Sequence, residues 1–216
     1  MGNDFHPAII TKCDKKFEKF IRNAIEQFFA ELDLYTSHNR DSVLLWYANE
    51  RTLASLFVNG LIRNDGKKHL ITSVQEYGTF FEKGSRYGRP DIFIRYDDIG
   101  IWIESKYERN IKMRDNHWDV IAWLEWDMKE ILSQVERYYI GEFESVNDTY
   151  KEHYIMTLAF KLLEINSEEF YRIINEKLVP LHEKEFDRPW YYSAGFINRQ
   201  SKSLGVEVFG TFKKMR

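Results

Sequence analysis

The hydrophobic period changes at Asn64-Asp65-Gly66, and that change confines the chain to folds in which helices lead into a sheet. Ahead of it, apolar residues recur at Ile9, Ile10, Cys13, Phe17, Phe20, Ile21, Ile25, Phe28, Phe29 and Leu32. Spacings of three and four predict one apolar helix face over residues 7–34. A second helix, capped by Asp41 or Ser42, is expected to run to about residue 62. Beyond the turn the segments are short, β-branched and aromatic: HLITSVQEY at 69–77, DIFIRY at 91–96 and IWIESKY at 101–107. Asp97-Asp98-Ile99-Gly100 is short enough to join the last two as a hairpin. A long helix over 116–139, a strand over 154–160 (YIMTLAF) and a helix from Asn166 or Ser167 to 178 complete the pattern. An additional edge strand is expected over 206–212. The fold class is α/β, with a mixed central sheet flanked by helices.

No internal repeat, low-complexity tract or linker divides the sequence. Its 216 residues suit one domain: an N-terminal helix at 7–34, a core at about 41–178 and a C-terminal extension at 180–216. With 31 basic and 34 acidic residues the formal net charge is -3, which argues against a tight passive DNA binder. An enzyme is compatible with that balance, because an acidic metal site offsets basic groove residues in the sum. Lys12, Lys15, Lys16, Lys19 and Arg22 form the solvated face of the first helix. The 16% aromatic content points to a core of large rings, and Tyr191 and Tyr192 beside Trp190 pack the tail more readily than they stack on bases. A single cysteine, Cys13, excludes an internal disulfide and reads as a buried structural thiol. The six histidines have no compact metal-ligand spacing, and His117 is a surface or packing residue. No apolar run reaches the ~18 residues of a membrane span and no secretory signal is visible, so a cytoplasmic location away from membranes is expected.

The chemistry is concentrated in Pro90-Asp91 and Glu104-Ser105-Lys106. Residues two apart on a strand share a face, so Glu104 and Lys106 project together with Trp102, while Ile101, Ile103 and Ser105 face the other way. The hairpin can bring Asp91 beside Glu104. Cutting a phosphodiester requires a water to lose its proton near an anion while charge builds on the phosphoryl group. Two carboxylates can hold Mg²⁺, a hard cation that prefers oxygen ligands, and the Ser105 carbonyl could complete its shell. Such an ion lowers the pKa of bound water, and an adjacent ammonium orients the nucleophile or stabilises the transition state. Upstream, Lys83, Arg86 and Arg89, with Gly84 and Gly88, form either a basic approach to phosphates or a solvated loop.

Pro90-Asp91 with Glu104-Ser105-Lys106 resembles the signature of the PD-(D/E)-x-K nuclease superfamily, which includes many restriction enzymes and the RecB-type nucleases. The resemblance implies a restriction-endonuclease-like core in the order helix, three strands, helix, strand, matching residues 41–178. It implies Mg²⁺, with Mn²⁺ as substitute, held by Asp91 and Glu104, and Lys106 as catalytic lysine. It also implies an acidic residue from the preceding helix that completes or supports the metal site. Glu50 is the choice, with Glu76 its competitor from the first strand. Gln134-Val135-Glu136-Arg137-Tyr138 resembles the Gln-x-x-x-Tyr element of the RecB-type branch, and Gln134 and Tyr138 share a helix face. The expected function is metal-dependent hydrolysis of DNA, in repair or phage defence. The alternative is a non-catalytic nucleic-acid-binding or protein-interaction subunit of the same fold. A homodimer, whose two sites could cut two strands, and a larger defence or repair complex are both open.

Overall fold

Asp14 fixes where the first helix begins, and residues 4–10 ahead of it form a strand. A computed structural model describes residues 4–10, 13–37, 48–65, 69–75, 91–110, 152–164, 190–198 and 204–215. The described elements run β1 (Asp4–Ile10), α1 (Lys15–Ser37), α2 (Glu50–Asp65), β2 (Ile71–Gln75), β3 (Ile92–Tyr96), β4 (Ile99–Asn110), β5 (Glu152–Glu164), β6 (Trp190–Asn198) and β7 (Leu204–Lys214). The protein is thus mixed α/β. Its seven-stranded sheet has the order β1-β6-β7-β5-β4-β3-β2. The β4–β5 pair is parallel and every other neighbouring pair is antiparallel.

The Asp14 carboxylate accepts the Lys16 N–H at 2.8 Å, and its carbonyl accepts the Glu18 N–H at 2.9 Å. This is an N-cap, and it corrects the helix expected from residue 7. Ile9, Ile10 and Cys13 continue the helical spacing by coincidence; the first two lie in β1, which pairs with β6 at the sheet edge. Pro7 explains the difference. It can donate no ladder hydrogen bond, and the register shifts between His6 and Ile9 as a bulge would make it do.

From Phe17 onward the predicted apolar face is observed. Phe17, Phe20, Ile21, Ile25, Phe28, Phe29 and Leu32 are buried, against a sheet that supplies Ile94, Ile101, Tyr154, Met156, Phe160 and Phe212. Each fully buried side chain of this size contributes about 1.5–3 kcal/mol through removal from water. Phe17 stacks on Tyr154 and Phe212, with ring centroids 4.6 and 4.1 Å apart. The large rings therefore do build this core.

Asn49 caps α2 by accepting the Thr52 N–H at 3.0 Å, so the described helix starts at Glu50. Asp41 and Ser42, the expected caps, lie outside the described residues. On its inner face α2 packs Leu53, Phe57 and Leu61 into the same core. Arg63 reaches the buried carboxylate of Glu31 on α1 at 3.1 Å. Gly60 allows the two helices to approach, since a Cβ there would stand 2.6 Å from the Gln27 carbonyl oxygen. Among the described residues, no helix is long and apolar enough to cross a membrane.

The expected hairpin is present, with Tyr96 paired to Ile99 across Asp97-Asp98. Asp97 takes a left-handed backbone (φ 53°), which a short polar side chain tolerates. Its carboxylate also accepts the Leu70 N–H at 3.0 Å and lies 2.6 Å from His69 Nδ1, binding the start of β2 to the turn. Burial alone would raise the Asp97 pKa, but the hydrogen bonds from His69 and Leu70 and the field of His69 outweigh it and hold it below the ordinary range. The C-terminal strands differ from expectation. β7 is not an edge strand but lies between β6 and β5, and β6 was not foreseen. The helices expected over 116–139 and 167–178 lie outside the described residues.

Two outcomes follow from these contacts. Gly60→Ala should lower the unfolding free energy by about 1–3 kcal/mol, although alanine is intrinsically the better helix former by ~1 kcal/mol. The backbone of Gln27 would have to move, and a raised urea midpoint would refute so close an approach. Asp97→Asn tests the turn by its pH dependence. A depressed carboxyl stabilises the fold above its ordinary pKa and loses that contribution as pH falls through the folded value. Wild type should therefore exceed the variant in urea midpoint near neutrality, and the gap should shrink on acidification.

Candidate active site

The candidate residues meet where β3 ends and β4 continues. Ile92, the first residue of β3, pairs with Ile103. Ser105 therefore lies two residues beyond that rung, past the last strand partner that β3 offers. Asp91 takes that place with its side chain: the Ser105 N–H donates to Asp91 Oδ2 at 2.7 Å. The Ser105 hydroxyl lies 3.1 Å from the same oxygen and donates to Glu50 Oε1 at 3.0 Å. Glu50 is the first residue of α2, where a carboxylate is favoured by the helix dipole. Ser105 is fully buried, while the two carboxylates that it meets are half-buried.

Glu104 and Lys106 lie on the opposite face of β4. Register with β5 is unbroken from Ile99 to Asn110, so side chains alternate without a bulge. Ile99, Ile101 and Ile103 point into the core with Ser105 after them, and Trp102 packs on Phe93 across the other face, with ring centroids 4.5 Å apart. On that second face Lys106 donates to Glu104 Oε1 at 2.8 Å, and both side chains are partly exposed at 38% and 25%. The register places Thr157 beside Glu104 and Ala159 beside Lys106. Thr157 is buried there and accepts the Thr211 N–H at 2.9 Å, which joins β7 to this side.

Charge within the site is unbalanced. Burial raises the Glu104 pKa, and the negative charges of Asp91 and Glu50 raise it further. The Lys106 hydrogen bond and charge oppose this without reversing it. For Lys106, burial acts to lower the pKa, but the Glu104 hydrogen bond and the charges of Glu104, Asp91 and Glu50 prevail and raise it. Lys106 is thus held firmly as an ammonium. Glu104 is a carboxylate short of compensating charge.

Asp91, Glu104, Ser105, Lys106 and Glu50 are accordingly gathered at one end of the β3–β4 pair. The hairpin brings Asp91 near enough to Glu104 for its charge to act there, but the hydrogen bonds run elsewhere: Asp91 is bonded to Ser105, while Glu104 is bonded to Lys106. Among the described residues, no group of three or more His, Cys, Asp or Glu side chains is disposed to hold a metal ion. Gln134, Tyr138, Arg86, Arg89 and Glu76 lie outside the described residues. The Ser105 hydroxyl was missed by sequence reasoning, which used only its carbonyl. The available signal was a lone hydroxyl following Ile99, Ile101 and Ile103 on an otherwise apolar strand face. Compared with known proteins, the chain matches no family model, no curated protein and no solved structure.

The pKa directions give a test by stability. A carboxyl whose folded pKa is raised loses stability for the protein as pH climbs from its ordinary value through the folded one. Glu104→Gln abolishes that loss while keeping an acceptor for Lys106. Relative to wild type, the variant should therefore gain urea resistance as pH climbs above the ordinary carboxylate value of about 4.3. A difference independent of pH would show that Glu104 is not desolvated.

Proposed function

We propose that this protein is a metal-dependent nuclease with a restriction-endonuclease-like core, hydrolysing DNA phosphodiester bonds with Mg²⁺ or Mn²⁺. The observation that carries the proposal is the joint placement of Asp91, Glu104 and Lys106 at the end of β3 and middle of β4. Their carboxylates exceed the positive charge that Lys106 supplies, as the raised Glu104 pKa records. The order α2, β2, β3, β4 and then β5 supports the same reading. Because β5 is parallel to β4, the chain must cross back between residues 110 and 152, where that core would have its helix.

The donor set suits a hard cation. Every candidate ligand is an oxygen: the carboxylates of Asp91 and Glu104 and the carbonyl of Ser105. Mg²⁺ is commonly bound through one or two carboxylates and retains several waters, so a third carboxylate is not required. When bound, such an ion supplies a water of lowered pKa and neutralises charge developing on the phosphoryl oxygens. The chain's own residues do the rest. Ser105 fixes Asp91 through its N–H, so the carboxylate is held before substrate arrives. Lys106 stays protonated and presents an ammonium to the accumulating negative charge, while its partial exposure lets a phosphate approach. The closed Glu104–Lys106 pair favours the second reading, a non-catalytic nucleic-acid-binding or interaction subunit, if that pair never opens to a cation.

Purified protein offered single-stranded, duplex and branched DNA with Mg²⁺ or Mn²⁺ decides between the two. Cleavage should be abolished by chelator and fall at least ~10²-fold in Asp91→Ala and Lys106→Ala, the scale typical of losing a transition-state charge stabiliser. Mg²⁺ should also raise the melting temperature of wild type but not of Asp91→Ala, since a ligand that binds only the folded state stabilises it. No cleavage and no thermal response to either metal would sink the nuclease assignment. Retained DNA or protein binding under those conditions would establish the second reading.

A further inference from the structure

Resting on the nuclease assignment, we infer that Glu50 is not a metal ligand but a positioning residue that acts on Asp91 through Ser105. Ser105 owns two donors, a backbone N–H and one hydroxyl hydrogen. Three short contacts compete for them: N–H to Asp91 Oδ2 at 2.7 Å, hydroxyl to Asp91 Oδ2 at 3.1 Å, and hydroxyl to Glu50 Oε1 at 3.0 Å. A single hydroxyl hydrogen can serve only one carboxylate at a time. Asp91 already has the shorter and charge-assisted N–H bond, so Glu50 takes the hydroxyl. Ser105 then gives each carboxylate its own donor, and Glu50 fixes the rotamer of the hydroxyl lying against Asp91.

The location of Glu50 fits this role. It is the first residue of a helix capped by Asn49 and anchored by Gly60 against Gln27 and by Arg63 on Glu31. Its carboxylate is therefore delivered from a rigid element and reaches β4 from the core face, opposite to Glu104 and Lys106. The path from α2 to Asp91 runs through a buried hydroxyl, where hydrogen bonds are stronger than at the surface. Removing Glu50 frees the hydroxyl to turn onto Asp91 Oδ2, and the carboxylate, still held by the Ser105 N–H, is drawn from its set orientation. Rate falls while substrate affinity, set elsewhere, does not.

Four variants test this in the intact protein: Glu50→Ala, Glu50→Gln, Ser105→Ala and the double Glu50→Ala/Ser105→Ala. The expected outcome is a loss of about tenfold in kcat with unchanged KM for DNA in each alanine variant. The double variant should be no worse than either single one, because both act through one hydrogen bond. Glu50→Gln should recover most of the loss, since its amide oxygen still accepts the hydroxyl. Mn²⁺ affinity, measured by calorimetry, should change by less than about twofold in Glu50→Gln. A Glu50→Gln variant as impaired as Glu50→Ala, with weakened Mn²⁺ binding, would instead make Glu50 a ligand and overturn the inference. Additive losses would overturn it as well. The carbon-13 resonance of the Asp91 carboxyl gives a readout that needs no activity. It should move in both Glu50→Ala and Ser105→Ala, each of which changes the hydroxyl beside Asp91, and return in Glu50→Gln, and an unmoved resonance in Glu50→Ala refutes the coupling. Wild type that neither cleaves DNA nor binds Mn²⁺ would remove the nuclease assignment while leaving this resonance to judge the contact itself.

Discussion

One buried serine holds the candidate site together. Ser105 lies two residues past the last rung of the β3–β4 ladder, where its N–H takes a side chain as acceptor instead of a strand carbonyl. An unpaired buried N–H costs about 1–3 kcal/mol, so the position demands an acceptor. Asp91 supplies it as a side chain in place of a strand. The same residue binds α2 through Glu50, so hairpin, helix and the start of β3 converge on a single side chain. That convergence ties the geometry of the site to the packing of α2 on α1, and hence to Gly60 and the phenylalanine core.

The two faces of β4 divide the work. On the core face, Asp91 and Glu50 are fixed by donors and have little freedom. On the other face, Glu104 and Lys106 are partly exposed and bonded to each other. A rigid carboxylate and a responsive ion pair thus stand on either side of one strand. Glu104 is close enough to Asp91 and Glu50 for their charges to raise its pKa, yet no direct bond joins them. Partial burial weakens the screening of these charges, which lets them act across the strand.

Local patterns were legible in the sequence, and non-local pairings were not. The apolar face from Phe17 to Leu32 follows from period alone and is buried as expected. The hairpin between β3 and β4 was legible from a two-sided apolar run around Asp97-Asp98, and Glu104 with Lys106 on one face follows from alternation. Three features needed tertiary information. Ile9 and Ile10 fit a helical spacing, and only pairing with β6 and the bulge near Pro7 place them in a strand. β7 resembled an edge strand because its inner position depends on β6, whose WYYSAGFIN segment carries no clean alternation. Asp91 was identified as a site residue, but its bond to Ser105 rather than to Glu104 is decided by where β3 stops, a matter of register that spacing does not encode.

The arrangement also explains why a serine rather than a small apolar residue is required at position 105. Alanine would keep the N–H that serves Asp91 but leave Glu50 without a donor, and two carboxylates at close range repel. Serine reduces that repulsion by giving each one a hydrogen bond, but it adds no charge. Lys106 adds one positive charge from the opposite face, against the three carboxylates of Glu50, Asp91 and Glu104. A carboxylate short of compensating charge costs stability where it is partly buried. The three acids make the end of β3 electronegative, the setting in which the nuclease proposed above would hold a hard cation beside the Lys106 ammonium.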